Sequence, residues 1–274
     1  MALTCASTGE YITHGSDGSL DGHEEDETDG LTVAQWSYLP TVEASSLWHA
    51  KSNFSNGWRC SHNSNGSMDV VIERSTDVKF SVAAGVIVTG WNYVCWRYLS
   101  GRTGDDGSIV WGNLTTKAAD LTDSIVEGEG GFDNAAAEDV IVGNVNVSSF
   151  GFPINGDVAT FMMWNAQLTI PQMIAQQFSP YPLYEQAKCV LFSHYYEDAT
   201  VPDWSGSDNS GTPTGTLATA SHVPLGPPFG HASGWMPGMV AAAAGTGSGA
   251  ISLAGMGGLA GSGGLAGPHG GLVG

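Results

Sequence analysis

Residues 156–173 read GDVATFMMWNAQLTIPQM, and their pattern decides the fold. From Val158 onward, one face of an extended chain carries Val158, Thr160, Met162 and Trp164. The opposite face carries Ala159, Phe161 and Met163, so both faces can be buried, as in a strand inside a stacked sheet. Asn165, Ala166 and Gln167 then break the alternation. Thr169, with Gln172 three residues later and Pro171 near the first helical position, carries the marks of a helix N-terminus. Met173, Ile174 and Gln177 would fall on adjacent turns, and the helix should end before Pro180. The stretch predicts a sheet strand, a tight turn and a helix of one to two turns that plugs one edge of a sandwich.

Working outward, a chain of 274 residues can bury one large core. Its 27 acidic residues against 8 basic ones give a net charge of -19, which excludes nucleic acid and anionic membrane surfaces as partners. The N-terminus has no basic stretch followed by an apolar one, so no secretory signal is expected. Cys5, Cys60, Cys95 and Cys189 are far apart and match no metal spacing. Apolar neighbours around Cys95 and Cys189 favour buried thiols, in keeping with a reducing cytoplasm.

Strand-like runs at residues 3–12, 31–39, 68–73, 77–82, 86–89, 91–98, 107–112, 140–143 and 187–195 are separated by Gly, Asn and Ser turns. That spacing predicts an all-β antiparallel sandwich. Residues 115–137 are acidic and rich in small side chains, which predicts a long surface loop. Residues 15–30 hold seven carboxylates, Asp17, Asp21, Glu24, Glu25, Asp26, Glu27 and Asp29. A calcium loop and a solvated acidic loop both fit; the missing Asp-x-Asp-x-Asp-Gly spacing favours the second.

Several of these residues resemble one family. Gly156, Val158, Trp164, Asn165, Leu168 and Thr169 fall on the last strand and capped helix of laminin-G-like, concanavalin A-type and pentraxin-like jelly rolls. Trp36 stands where their Thr-Ile-x-Ala-Trp strand ends, and residues 140–143 resemble their Ile-Gly strand. Residues 91–94, WNYV, stand where the family has Gly-x-Trp-His-His-Val, with Tyr93 replacing the second His. Asp203, Ser205, Gly206, Asn209, Gly211, Thr212, Thr214 and Gly215 match a segment that recurs in laminin-G-like proteins, many predicted phage proteins among them. The resemblance covers residues 3–180 by pattern and implies a jelly-roll β-sandwich with one short helix. Members often carry an Asp-Glu pair where this chain has Ala159 and Thr160, so the ion site that the pair serves is not expected on this strand.

From Asn209 to Gly274 there is no Asp, Glu, Lys or Arg. A six-residue repeat, SLAGMG, GLAGSG, GLAGPH, places Leu253, Leu259 and Leu265 at even spacing, with Leu272 one residue late. Glycine is too dense for a membrane helix and not periodic enough for collagen. A charge-free linker with regular leucines is poorly solvated, so an extended arm packed on neighbouring subunits is expected, with those four leucines as its knobs. The expected division is a sandwich at 1–230 (core 3–196, Gly/Pro-rich loops 197–230) and an arm at 231–274.

Enzymatic function is not expected. Retaining glycosidases need two carboxylates about 5 Å apart, and the nearest acidic run, residues 24–29, has no strand alternation. The eight histidines, 14, 23, 49, 62, 194, 222, 231 and 269, are dispersed, and no catalytic residue is assigned. Two function classes remain. The first is a structural protein of a large assembly, such as a phage capsid decoration protein or fibre subunit. It would be a homo-oligomer, most simply a trimer, beside a major capsid protein at the virion surface after assembly in the host cytoplasm. The alternative is a lectin-like module that binds host or environmental glycans. Trp48, Trp58, Trp111 and Trp204 lie in Gly/Asn/Ser-rich segments and could stack on sugar faces, or could be core aromatics. No cofactor is required. Calcium is the candidate ion, with Asp203, Asp208 and Asn209 as ligands, unless that segment is an Asx/Gly turn bonding its own backbone.

Overall fold

The computed structural model describes residues 2–21, 30–42, 45–52, 56–99, 106–113, 115–116, 118–126, 129–132, 136–144, 153–195 and 200–223. Residues 22–29 of the acidic run, and Leu253, Leu259, Leu265 and Leu272, lie outside them. In chain order the strands are β1 (Ala2–Cys5), β2 (Tyr11–Thr13), β3 (Leu31–Leu39), β4 (Ser46–Ser52), β5 (Gly57–His62) and β6 (Met68–Ile72). They continue with β7 (Arg74–Thr76), β8 (Val78–Val82), β9 (Gly90–Leu99), β10 (Asp106–Gly112), β11 (Ala119–Asp120) and β12 (Thr122–Val126). The last are β13 (Glu129–Phe132), β14 (Ile141–Val142), β15 (Gly156–Trp164), β16 (Cys189–His194), β17 (Thr212–Thr214) and β18 (Ala218–Ala220). One helix, α1 (Ile170–Gln176), follows β15.

Two eight-stranded antiparallel sheets carry the fold. The first runs β11-β10-β9-β3-β15-β1-β18, with β16 also paired to β15; the second runs β12-β8-β6-β5-β4-β14-β2-β17. β3 occupies one side of β15, while β1 and β16 share the other end to end. β1 pairs up to Val158 and β16 from Thr160, so their ends meet at Ala159. The predicted 156–173 stretch is thus the middle of the first sheet, with both faces buried.

Its inner face, with Val158, Phe161 and Met163, joins Val33, Trp96, Trp58, Phe80 and Val70 in the core between the sheets. Its outer face, with Ala159, Met162 and Trp164, joins Trp36, Tyr93, Met173 and Phe192 in a second apolar cluster. α1 lies on this outer face against β10 and β11, at the end of the first sheet, in keeping with the expected helix at an edge. Met173, on α1, has no exposed surface, and the Tyr93 hydroxyl donates to its carbonyl oxygen at 2.9 Å. Burying a side chain of that size contributes about 1.5–3 kcal/mol. The expected cap forms as a capping box: Thr169 and Gln172 each bond the other's backbone amide.

Other expectations needed correction. Residues 3–12 are not one strand, because Glu10 accepts hydrogen bonds from the Ala6 and Ser7 amides and turns the chain between β1 and β2, which lie in different sheets. Residues 86–89 form no strand; the Asn92 side chain bonds both the amide and the carbonyl of Val88 and holds a loop. The loop expected at 115–137 contains β11, β12 and β13. β4 and β5 had no sequence signal. A bulge between Leu47 and His49 lets consecutive residues Trp48 and His49 both face inward, which destroys the alternation that would have identified β4.

Four polar side chains inside the sandwich pair into a chain. The Trp96 indole donates to His49 Nε2 at 2.7 Å, so His49 carries its proton on Nδ1 and donates it to Gln35 Oε1 at 2.6 Å. Gln35 then donates to Ser37 Oγ at 2.7 Å. Burial pushes His49 down to about 3. Such a satisfied chain fixes how the two sheets sit on each other, since any slip would leave a buried donor unpaired.

Candidate functional site

The sequence VPDWSGSDNSG at residues 201–211 makes a closed loop. Val201 and Gly211 exchange backbone hydrogen bonds at its base, 2.9 and 2.6 Å long. Asp203 is the hub. Its Oδ1 accepts from the Phe192 and Ser205 amides, and its Oδ2 from the Ser205 hydroxyl and the Asn209 amide, all at 2.8–2.9 Å. Asn209 is buried, with its side-chain amide donating to Ser19 Oγ and the Val190 carbonyl. His14 Nδ1 donates to the Asn209 carbonyl at 2.9 Å, and the Tyr195 hydroxyl donates to His14 Nε2 at 2.9 Å. Burial lowers His14 to about 4. Asp208 is exposed, in the left-handed region at φ 63.

Asp203, Asp208 and Asn209 are therefore not assembled around a common point. The Asp203 oxygens are spent on the loop's own donors, which is the Asx/Gly-turn reading of this segment. Among the described residues, no three His, Cys, Asp or Glu side chains stand together as a metal site. The four cysteines are free and buried, and burial pushes the Cys5 and Cys95 thiols up to about 12.

The candidate tryptophans divide sharply. Trp58 is fully buried, edge-on to both His49 and Trp96, with ring centroids 5.9 and 5.3 Å away. Trp48 is buried and donates to His62 Nδ1. Trp111 is buried and donates to Asn92 Oδ1 at 3.1 Å. None of these three rings offers a face to a sugar, so Trp58 and Trp111 are corrected from candidate platforms to core aromatics. Trp204 differs, being 43% exposed. Its backbone N–H donates to the Phe192 carbonyl at 2.8 Å, and the Asp203 hub holds the loop beneath it.

A second exposed ring is anchored on the same residue. Tyr181, 45% exposed, lies edge-on to Phe192 and to His194, at 5.9 and 5.3 Å between centroids. Phe192 and His194 alternate along β16 toward the outer face of the first sheet, 4.7 Å apart. Sequence reasoning missed Tyr181. The available signal was its setting between Pro180 and Pro182, neither of which can donate a backbone hydrogen bond, so the segment belongs to no helix or sheet interior. Gln176 holds this segment through bonds to the Ser179 and Tyr181 carbonyls and the Leu183 amide.

His194 and His222 complete the surface, half-buried and 6.0 Å apart between ring centroids. His194 Nδ1 lies 3.3 Å from Thr160 Oγ1, and His222 Nδ1 donates to the Val223 carbonyl at 2.8 Å. Burial, then the neighbouring His222, lowers His194 to about 4. Burial also lowers His222, against that carbonyl bond. Thr160, at one of the positions where the resembled family often has an acidic pair, is thus part of this cluster.

No protein-family model and no curated protein sequence matches the chain. Solved structures do. A putative carbohydrate-binding protein from Bacteroides ovatus superposes with a TM-score of 0.52 at 13% identity, over 80% of this chain and 60% of that one. A SAP-like heptameric pentraxin from Limulus polyphemus aligns with a TM-score of 0.43 at 14% identity, over 66% of this chain and 83% of that one. The CBM40 domain of the Ruminococcus gnavus IT-sialidase aligns with a TM-score of 0.47 at 11% identity, over 64% of this chain and 95% of that one. The fold is an all-β, two-sheet antiparallel sandwich with one short helix, like that of the Bacteroides ovatus protein.

Proposed function

We propose that the chain is a non-enzymatic carbohydrate-binding module whose contact surface is built on Trp204 and Tyr181. The observation that carries this reading is two large aromatic side chains, each over two-fifths exposed: the Tyr181 ring packs edge-on to Phe192, and the Trp204 backbone bonds the Phe192 carbonyl. Their backbone segments are fixed before a ligand arrives, by the Gln176 bonds and the Asp203 hub, which lowers the ordering cost of binding. Pyranose C–H faces stack on such rings, and Ser205 and the loop backbone lie beside them for hydroxyl groups. The similarity to a protein described as carbohydrate-binding supports the reading. With a net charge of -19 the molecule repels acidic sugars, so a neutral glycan is the expected ligand. Calcium is not required at this surface.

The test is a glycan array followed by titration calorimetry of the best neutral oligosaccharide. Trp204→Ala and Tyr181→Ala should each weaken binding at least about tenfold, as loss of a stacking ring does. Undiminished affinity in both variants would exclude this surface.

A role as a structural virion component, a decoration or fibre subunit assembled in the host cytoplasm, is compatible and rests on a separate feature. The charge-free leucine repeat at residues 253–272 suits contacts between subunits of a homo-oligomer, a trimer in the simplest case, or with a major capsid protein. Truncation after residue 230 tests it: a shortened chain that assembles as the full one does would remove the arm from assembly.

A further inference from the structure

The pair His194 and His222 stands where three strands converge. β1 and β16 meet end to end along β15 at Ala159, and β18 pairs with β1. His194 is the last residue of β16, and His222 lies two residues beyond β18. The topology therefore brings together two imidazoles 28 residues apart in sequence (222 − 194 = 28), on one face of one sheet.

We propose that His194 and His222 form a binding site for a divalent transition-metal ion of the zinc, nickel or copper class, each ligating through Nε2. Two features support this. His222 commits its Nδ1–H to the Val223 carbonyl, which fixes the tautomer and leaves the Nε2 lone pair for a metal. Donation of the second ring nitrogen's proton to a backbone carbonyl is a common support for ligating histidines. His194 Nδ1 has Thr160 Oγ1 at 3.3 Å, which permits the same arrangement.

Spacing is the second feature. Two imidazoles bound to one tetrahedral ion at about 2.0–2.1 Å would have ring centroids about 5 Å apart. The observed 6.0 Å leaves roughly 1 Å to close, a side-chain movement and not a backbone one.

The donor set selects the ion. Imidazole nitrogens suit zinc, nickel and copper, whereas calcium takes oxygen ligands. No third His, Cys, Asp or Glu of the described residues joins the pair, so the remaining positions fall to water or to an added ligand. A two-histidine site of this kind keeps open coordination positions.

The experiment uses the full chain without a histidine tag, freed of metal by a chelator and titrated with Zn²⁺ and Ni²⁺ by calorimetry. One ion per chain is expected, with calcium unable to compete. His222→Gln and His194→Gln should each weaken binding at least about tenfold, while the other six histidines remain in place. Unchanged affinity in both variants, or no binding by the parent, would overturn the proposal. Should a variant fail to fold, the parent alone decides through ¹H–¹⁵N spectra of its imidazoles: Zn²⁺ must shift the His194 and His222 Nε2 resonances, and shifts confined to other histidines would overturn it. None of these readouts depends on glycan binding.

Discussion

The two faces of β15 use histidine in opposite ways. On the inner side, His49 and His14 are buried, and every ring nitrogen has a protein partner. On the outer side, His194 and His222 are half-buried, each bonded within the protein through Nδ1. One residue type thus serves as a register lock in the first case and as an available donor in the second. What separates them is whether the hydrogen-bond capacity of the ring is exhausted, which neither burial nor composition reveals alone.

The comparison breaks most easily at His49. His49→Ala would delete a packed ring and orphan both Gln35 and the Trp96 indole, so a loss of about 3–5 kcal/mol is expected in urea unfolding. The equivalent change at His222 should cost less than about 1 kcal/mol. Equal costs would mean that the inner chain is no lock. Two tryptophans sharpen the same point. Trp96 donates to His49, whereas the buried Trp36 indole nitrogen on the outer side has no hydrogen-bond partner. Trp96→Phe should therefore cost about 2–3 kcal/mol and Trp36→Phe about 1 kcal/mol, read from denaturant midpoints.

Acid gives a smaller and graded effect. His14 falls to about 4 and His49 to about 3, both below the ordinary value of 6.5, so the unfolded chain binds the extra protons. Their contribution is complete above pH 6.5 and is withdrawn as pH falls toward those lowered values, at about 1.4 kcal/mol per pH unit for each ring. His49→Gln, which can keep one donor and one acceptor, should reduce that slope by one ring's share between pH 6 and 4. An unaltered slope would show that His49 is not a titrating term. The smallest expected effect is at Trp204, where alanine should change stability by no more than about 0.5 kcal/mol while abolishing sugar stacking.

Legibility in the sequence followed the same division. β15 and α1 could be read because apolar alternation, Thr169, Pro171 and Gln172 are local signals, but the irregularity between Val158 and Thr160 exchanges the expected faces of Val158 and Ala159 and left no such signal. β4 could not, because the bulge at Trp48 and the inward Lys51, which reaches Asp21 at 2.5 Å, replace apolar alternation with SLWHAKS. For that reason Trp48 and Trp58 read as loop aromatics when they are core. Trp204 could be found, since its Gly/Ser/Asn neighbours do form a loop. Tyr181 and the histidine pair could not be joined to it, since their proximity depends on which strands share the edge of β15, a long-range fact with no local trace.

That shared edge also orders events during synthesis. Leu3 pairs with Val158, 155 residues later (158 − 3 = 155), whereas β3 finds β9 on its other side well before β15 is made. At translation rates of about 5–20 residues per second, the first strand spends roughly 8–30 s outside the ribosome before its partner exists. β4, β5, β6 and β8 pair with near neighbours and need no such delay. A nascent chain stalled at residue 155 should therefore protect the β4–β8 hairpins and the β3–β9–β10 strands from protease while β1 is cut. The middle of each sheet is built first, and β15 then joins β1 to the first sheet.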